Sequence, residues 1–275
     1  MVLHPPEPDS VYMLSYTSGT TGDPKGVKLT HKMVLNGAQA INARYKDHPE
    51  GFLTEKDCYI SYLPLSHSFE QCMQAQSLVY GKKCGFYSGN LLNLTADLER
   101  LGPTVFPSVP SFYNRIYGRI MKKFTDTTGF KKKLIDYAVD KKLRNLREGK
   151  GHYHWLFDKL VFKKTREILG NNTRVLISGS APISSEVVDF LRICFMTDMV
   201  NGYGMTEGCG ASTSQRLFDS ESGHVGGPMQ NTKVRLRDLP DMGYTTEGWP
   251  KRGEICFKGS SISNGYFKNQ EKTEE

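Results

Sequence analysis

Long apolar runs are missing from this sequence: no stretch reaches eighteen consecutive apolar residues, so no membrane-spanning helix is expected. The first eight residues, Met-Val-Leu-His-Pro-Pro-Glu-Pro, contain neither a basic start nor a long apolar stretch, which argues against a signal peptide. Six cysteines occur, and none of them forms a Cys-x-x-Cys pair. Zinc frameworks and disulfide scaffolds leave tighter spacings, so we expect reduced thiols and a cytoplasmic protein. With 275 residues, 38% of them hydrophobic, the chain is long enough for a well-buried core.

Acidic residues are scarce in one segment only. Between Arg119 and Lys150, eleven Lys or Arg stand against four Asp or Glu, so this segment holds the whole net charge of +7. The rest of the chain is balanced, and no base-reading motif accompanies the basic segment, so nucleic-acid binding is not expected. We interpret the segment as the solvated face of a helix, with contact to anionic lipid or to CoA phosphates as the alternative.

Strands and helices alternate along the predicted chain. Short apolar stretches predict strands at 11–16, 59–65, 104–109 and 175–177. A short apolar piece lies at 27–29, and the stretch 79–87 is predicted to contain a glycine-rich strand and a turn. Helices are predicted from Thr30 to about Ala43, over the charged stretch 131–150, and after a cap at Ser184 or Ser185. Apolar residues at every fourth position, from Phe112 to Phe124, predict a fourth helix. This order indicates an α/β architecture with largely parallel sheets, followed from residue 232 by short strands at 233–236 and 253–258.

A loop rich in glycine and hydroxyl groups follows the first predicted strand, running Tyr-Thr-Ser-Gly-Thr-Thr-Gly-Asp-Pro-Lys-Gly from Tyr16 to Gly26. Glycines let backbone N–H groups turn toward an anion, hydroxyls add donors for phosphate oxygens, and Lys25 adds a mobile positive charge. The candidate phosphate-binding residues are Thr17, Ser18, Gly19, Thr20, Thr21, Gly22 and Lys25. The P-loop of the NTPases is excluded, because Gly26 rather than Ser or Thr follows the lysine. The loop is therefore a phosphate site of another kind or a flexible surface loop.

Two other stretches of small residues lie later in the chain. In Asn201-Gly-Tyr-Gly-Met-Thr-Glu207, nothing bulky flanks the ring of Tyr203, which can therefore lie flat against a purine. In Ser178-Gly-Ser-Ala-Pro182, the small residues permit a ligand to approach the backbone closely. Each stretch taken alone also fits an ordinary glycine-rich turn.

In this order, the loop at 16–26, the segment Ser61-Tyr-Leu-Pro-Leu-Ser-His-Ser-Phe69 and these two stretches resemble motifs of the adenylate-forming enzymes. That superfamily includes acyl-CoA synthetases, luciferases and peptide-synthetase adenylation domains. The resemblance implies that the loop holds the pyrophosphate end of ATP, that Thr206 contacts phosphate and that Glu207 binds Mg²⁺. It places His67 beside the carboxylate substrate. The remaining ATP or AMP contacts that it implies are Gly179, Ser180, Ala181, Pro182, Asn201, Gly202, Tyr203 (stacked on adenine) and Gly204.

Within the superfamily, the chain is most similar to the long-chain fatty acyl-CoA synthetases. The stretches that carry this similarity are 106–116, 155–170, 222–228 and 239–244. They imply ATP-dependent adenylation of a long-chain fatty acid, followed by thioester formation with coenzyme A, with the acyl tail passing Gly179 and the 104–112 segment. Some long-chain members carry a gating tryptophan four residues after the histidine, where this sequence has Gln71. A ligase for an aryl or amino acid, and a non-catalytic nucleotide-binding protein, are the alternatives.

The motif order of the family continues beyond the last residue of this sequence. We therefore expect an internal fragment that does not complete the reaction by itself, with the C-terminal catalytic-lysine domain absent. The expected division is an ATP- and acyl-binding core at 1–231 and the start of a small β-rich subdomain at 232–275. Gly265-Tyr266 resembles part of a structural strand pair and is assigned to the fold. For the full-length protein, peripheral association with an endoplasmic-reticulum-like membrane is an alternative to a purely cytoplasmic location.

Overall fold

The computed structural model describes residues 4–17, 23–46 and 54–274, which form eleven strands and nine α-helices. The strands are β1 (Val11–Thr17), β2 (Lys25–Thr30), β3 (Cys58–Ser61), β4 (Lys83–Phe86), β5 (Val105–Ser108), β6 (Val175–Ser178), β7 (Asp198–Tyr203), β8 (Thr213–Ser214), β9 (Gly227–Pro228), β10 (Thr232–Arg237) and β11 (Glu254–Gly259). The helices are α1 (His31–Tyr45), α2 (Ser68–Tyr80), α3 (Leu94–Leu101), α4 (Pro110–Thr125), α5 (Gly129–Arg147), α6 (Trp155–Phe157), α7 (Lys163–Arg166), α8 (Ser185–Phe195) and α9 (Gln270–Glu274). A π-helical turn at Asp158–Phe162 joins α6 to α7, and 3₁₀ turns lie at Glu167–Leu169, Thr206–Gly208 and Pro240–Met242.

The centre of the fold is a five-stranded sheet in the order β5-β6-β7-β8-β9. Its first three strands run parallel, and β8 and β9 extend it in antiparallel fashion. The parallel pair β3–β4 lies next to β5, since the N–H of Thr104 donates to the carbonyl oxygen of Cys58 at 2.9 Å. Strands β5 and β6 are buried along their whole length, as expected for parallel strands covered on both faces.

Helices α4 and α8 cover one face of this sheet. Pro110 occupies the first turn of α4, where its missing N–H costs nothing, and the residues at every fourth position from Phe112 to Phe124 are all buried. Helix α8 begins at Ser184, whose Oγ accepts the N–H of Val187 at 3.3 Å. The side chain of Thr30 caps α1 in the same way through the N–H of Met33. The two predicted helix caps and the helix predicted from the apolar series at 112–124 are confirmed.

The predicted α/β class with parallel strands is confirmed, and the differences are local. The strand predicted at 59–65 is shorter, because β3 ends at Ser61, and most of the 79–87 prediction is divided between the end of α2 and the four residues of β4. Helix α2 was not predicted. Its buried face carries Glu70, Gln71 and Gln76 beside Cys72 and Met73, so its apolar period is broken by polar residues.

Two buried carboxyl groups, those of Asp57 and Glu70, differ in their hydrogen bonds and therefore in the direction in which their pKa values are shifted. Asp57 accepts bonds from both nitrogens of the Arg174 fork, at 2.9 and 2.7 Å, and from the Thr104 hydroxyl at 2.7 Å. Burial alone raises the pKa of Asp57, but the bonds from Arg174 and Thr104 outweigh it and the pKa is lowered. Glu70 accepts a long bond from the Tyr59 hydroxyl, at 3.3 Å, and burial raises its pKa to about 7.

The C-terminal segment returns to the first hairpin. Strands β1 and β2 pair antiparallel, and the N–H of Phe267 donates to the carbonyl oxygen of Gly26 at 2.7 Å, with a bridge between Val27 and Tyr266. Residues 263–267 thus lie along β2, far from where they stand in sequence. Across the described ranges, no helix is both long and apolar enough to cross a bilayer.

Candidate functional site

A cavity of about 150 Å³ opens at the carboxyl ends of β6 and β7. Ser178 and Asn201 are register partners in these parallel strands, so the residues that follow them emerge side by side. Open α/β sheets place ligands at this edge, where successive loops diverge. The predicted site residues that line the cavity are His67, Gly179, Ser180, Gly202, Tyr203, Gly204 and Thr206.

Close backbone packing explains the glycine at position 204. A Cβ there would lie 1.3 Å from the carbonyl oxygen of Gly210, so no side chain fits without moving the backbone. At Gly202, a Cβ would lie 3.1 Å from the carbonyl oxygen of Thr213, which is tight. At Gly179 the nearest atom is 3.7 Å away on the Phe69 ring, which is ordinary contact. Gly204 therefore lets the chain fold back at 204–210, whereas the cavity wall at Gly179 could accept a Cβ in ordinary contact.

Tyr203 ends β7 with one ring face covered. Its ring stacks on Phe257 of β11, with centroids 5.9 Å apart and planes inclined by 26°. The backbone is fixed by a 2.9 Å bond from the N–H of Ser212 to the Tyr203 carbonyl oxygen. With 39% of the residue exposed, the ring offers a flat apolar surface at the cavity.

Several buried polar atoms around the cavity lack partners. Within the described ranges, the Oγ of Ser178, the Oγ1 of Thr213 and the Oδ1 of Asn201 make no hydrogen bond. Ser178 also lines a second cavity of about 120 Å³, to which Ala181, Pro182 and Asn201 belong. Buried donors and acceptors are normally satisfied, so these atoms favour a polar ligand at the site.

His67 lies at the start of α2. Its Nδ1 accepts the N–H of Phe69 at 3.1 Å and so caps the helix. Because Nδ1 accepts this bond, the neutral ring carries its proton on Nε2. Desolvation lowers the pKa of His67, which favours this neutral form. The ring is thus prepared to donate one hydrogen bond from Nε2.

Glu207 lies in the 3₁₀ turn that begins at Thr206, and a distant segment holds it. The Tyr266 hydroxyl donates to Glu207 Oε1 at 2.8 Å, and the N–H of Ser263 donates to the Glu207 carbonyl oxygen at 2.6 Å. Within the described ranges, no group of three His, Cys, Asp or Glu side chains could hold a metal ion. A lone carboxylate still fits Mg²⁺, because this ion is commonly bound by one or two carboxylates together with the substrate phosphates.

Lys25 lies over the ring of the same tyrosine, Tyr266. Lys25 is the register partner of Thr17 in the β1–β2 hairpin, and its Nζ lies 5.5 Å from the centroid of the Tyr266 ring. Tyr266 therefore connects the candidate phosphate-binding lysine with the candidate metal-binding carboxylate. The predicted residues Ser18, Gly19, Thr20, Thr21 and Gly22 lie outside the described ranges.

Sequence reasoning missed Tyr266 as a site residue and missed the apolar side of the cavity. That side is formed by Ile41, Met73, Ile177 and Met229, with Tyr45 beside them. The motif Gly265-Tyr266 was visible in the sequence, but nothing local connects it to Glu207.

Two aromatic residues of the segment 104–112, which was predicted to border the acyl tail, do not line the main cavity. The rings of Phe106 and Phe112 pack against the ring of Tyr62 instead, with centroids 6.0 and 5.9 Å apart.

Comparison with known proteins identifies the family of this chain. The model of the family described as AMP-binding enzyme matches residues 2–267. Long chain acyl-CoA synthetase 6, peroxisomal, from Arabidopsis thaliana is 41% identical over 98% of this chain and 38% of its own length. Long-chain-fatty-acid–CoA ligase 1 from Cavia porcellus is 39% identical, again over 98% of this chain and 38% of its own length. The chain thus spans about two fifths of the curated relatives it matches.

Solved structures share the fold at lower identity. The adenylation domain of a carboxylate reductase from Mycobacterium chelonae superposes with a TM-score of 0.70 at 24% identity, covering 98% of this chain and 36% of that one. A long-chain-fatty-acid-CoA ligase from Archaeoglobus fulgidus gives a TM-score of 0.64 at 21% identity, covering 97% of this chain and 46% of that one.

Proposed function

The chain belongs to the AMP-binding enzyme family, and we propose that it is part of a ligase that activates a long-chain fatty acid with ATP and passes the acyl group to coenzyme A. The observation that carries this proposal is a single cavity with two unlike sides. One side has the open ring of Tyr203 and unpartnered polar atoms, and the other is apolar. Relatives named as long-chain acyl-CoA synthetase and long-chain-fatty-acid–CoA ligase, 41% and 39% identical to this chain, support a long-chain fatty acid as the substrate.

The nucleotide base would lie against the exposed face of Tyr203. Asn201 Oδ1 is an acceptor without a partner among the described residues, and the exocyclic amino group of adenine is a donor that suits it. The backbone at Gly179, Ser180, Gly202 and Gly204 would border the base and ribose. Ala181 and Pro182, at the second cavity, would lie on the far side of Asn201.

In the first step, a carboxylate oxygen of the fatty acid attacks the α-phosphorus of ATP, and the bond to the bridging oxygen breaks to release pyrophosphate. Negative charge moves to the leaving pyrophosphate, where Lys25, Thr17 and the hydroxyls of the 18–22 segment would stabilise it. Thr206 would donate to the α-phosphate. Mg²⁺ would be held by Glu207 and would neutralise phosphate charge when bound.

His67 would orient the carboxylate by donating from Nε2, since its Nδ1 is engaged as the helix cap. The start of the acyl chain would then contact the apolar side of the cavity at Ile41, Met73 and Met229. In the second step, the thiol of coenzyme A attacks the acyl carbonyl of the mixed anhydride, and AMP leaves.

We also propose that residues 1–231 form the ATP- and acyl-binding core and that residues 232–275 are the start of a small β-rich subdomain.

The test of the substrate class is ATP–pyrophosphate exchange with the protein and a panel of acids. We expect exchange with saturated acids of about sixteen carbons, and none above background with benzoate or free amino acids. Exchange driven by an aryl or amino acid alone would establish the alternative adenylate-forming ligase.

Nucleotide binding is tested separately, by displacement of a fluorescent ATP analogue. Tyr203→Ala should weaken binding by roughly 5- to 150-fold, because stacking on a base contributes about 1–3 kcal/mol. Tyr244→Ala is the matched control, since Tyr244 is a tyrosine of nearly equal exposure, 38%, outside the cavity. Nucleotide binding without acid-dependent exchange would favour a non-catalytic nucleotide-binding protein.

A further inference from the structure

One face of α5 carries aromatic and basic side chains in alternation. Phe130, Lys133, Tyr137 and Lys141 follow one another at spacings of three, four and four residues, which places them along one stripe of the helix. Phe130 is 81% exposed and Tyr137 is 60% exposed. The residues that α5 buries, Ala138, Lys142 and Leu146, lie on another side. Large aromatic side chains this exposed on a well-formed helix are unusual for a surface that meets only water.

The stripe continues onto the neighbouring turn of chain. The ring of Tyr137 meets that of Phe157 edge to face, with centroids 5.7 Å apart, so α6 lies against α5. Trp155, at the start of α6, is 81% exposed. Lys159 and Leu160 follow one turn later and are also exposed. We call the surface made by Phe130, Lys133, Tyr137, Trp155 and Lys159 the basic–aromatic face.

The charge of this region is only partly neutralised. Helix α5 contains seven Lys or Arg against two Asp. Three of its cations are engaged in ion pairs: Lys132 with Asp136, Arg144 with Asp140, and the buried Lys142 with Asp158. Within the described ranges, Lys131 and Lys133, next to Phe130, and Lys159, next to Trp155, belong to no ion pair. Four of the seven cations of α5, Lys131, Lys133, Lys141 and Arg147, thus belong to no ion pair among the described residues, and the first two lie next to Phe130 in the sequence.

We propose that the basic–aromatic face binds the surface of an anionic phospholipid bilayer. Trp and Tyr rings favour the headgroup region, because they combine an apolar ring with a polar edge. Lysines beside them are attracted to acidic headgroups, and a helix lying in the membrane plane presents one such stripe. None of the residues of this face lines the candidate nucleotide cavity, so this inference does not depend on the proposed ligase activity.

The two tryptophans of the chain provide the test. Trp155 lies on the basic–aromatic face, and Trp249, which is 90% exposed, lies in the connection between β10 and β11. The variant Trp249→Phe keeps Trp155 as the single reporter, and Trp155→Phe keeps Trp249 as the matched control. Each is mixed with phosphatidylcholine vesicles, with or without about a third of phosphatidylserine, at low and high salt.

We expect phosphatidylserine vesicles at low salt to shift the emission of Trp155 to shorter wavelength, and brominated acyl chains to quench it. Trp249 should show neither effect, and high salt should weaken the binding. Equal responses of the two reporters, or no binding to anionic vesicles at either salt, would overturn the proposal. A shift of Trp155 with protein concentration and without vesicles would instead identify a second copy of the chain as the occupant.

The charge is tested by sedimentation with the same vesicles. Lys133→Gln with Lys159→Gln, the two lysines of the basic–aromatic face, should weaken binding to phosphatidylserine vesicles by roughly 30-fold, the effect expected for two surface lysines. Lys233→Gln with Lys258→Gln, an exposed pair opposite one another on β10 and β11, should leave binding unchanged. A similar loss in both double variants would indicate only a response to net charge and would contradict a defined binding face.

Discussion

Tyr266 holds the candidate metal-binding acid in place, and removing its hydroxyl group should be measurable. The substitution Tyr266→Phe deletes the 2.8 Å bond from the Tyr266 hydroxyl to Glu207 Oε1. The phenyl ring keeps the cation–π contact with Lys25, and the backbone pairing of 263–267 with β2 does not involve the side chain. The expected consequence is a Glu207 carboxylate that rotates freely.

The magnitude follows from the type of bond. A hydrogen bond to a charged acceptor contributes about 1.5–3 kcal/mol, and the lower end applies because both residues are only half buried. A loss of about 1.5 kcal/mol corresponds to about a tenfold weaker interaction. This loss should appear where the Glu207 carboxylate is used, which is the binding of Mg²⁺ together with ATP.

The assay is a fluorescence titration of a labelled ATP analogue, performed with Mg²⁺ and again with EDTA. We expect Tyr266→Phe to weaken binding about tenfold in Mg²⁺ and to leave binding in EDTA unchanged. Tyr244→Phe, which removes a hydroxyl group outside the cavity, is the matched control and should change neither affinity.

Two results would refute this reasoning. Equal weakening in Mg²⁺ and in EDTA would mean that Tyr266 supports the fold of the site rather than its metal-binding carboxylate. Unchanged affinity in both conditions would mean that the hydroxyl group does not determine the position of Glu207.

Three further predictions concern stability and packing. Burial raises the pKa of Glu70 to about 7, so the free energy of unfolding should fall by about 3 kcal/mol as the pH rises from about 4 to 7. Glu70→Gln should remove this fall, which is measured by urea unfolding at pH 5 and 8. Gly204→Ala should abolish nucleotide binding or unfold the loop, whereas Gly179→Ala should lower the thermal midpoint by no more than a few degrees; equal effects would contradict the backbone contact at 204. Asp57→Asn should destabilise by about 3 kcal/mol, because it removes the carboxylate that accepts two bonds from Arg174. The difference should shrink as the pH falls below about 4, since protons bind first to the carboxyl of the unfolded chain and bind to the folded carboxyl, whose pKa is lowered, only at more acidic pH.

Local patterns in the sequence predicted much of the fold. The cap at Thr30, the cap at Ser184 and the apolar series from Phe112 to Phe124 each concern residues within one or two helical turns. Such signals act through backbone geometry and are therefore readable without tertiary structure. Helix α2 escaped prediction because Glu70 and its polar neighbours are buried, and their burial depends on elements far away in the chain.

The sequence by itself determined the family and the order of its motifs, because short runs of glycine, hydroxyl and aromatic residues are recognisable one by one. The tertiary structure decided what those motifs contact. Tyr266 reaches Glu207 across 59 positions and meets Lys25 only because residues 263–267 pair with β2. It likewise placed Phe157 of α6 against Tyr137 of α5. Contacts of this range arise from strand pairing and helix packing, in which the partner is selected by the whole fold and not by neighbours in sequence.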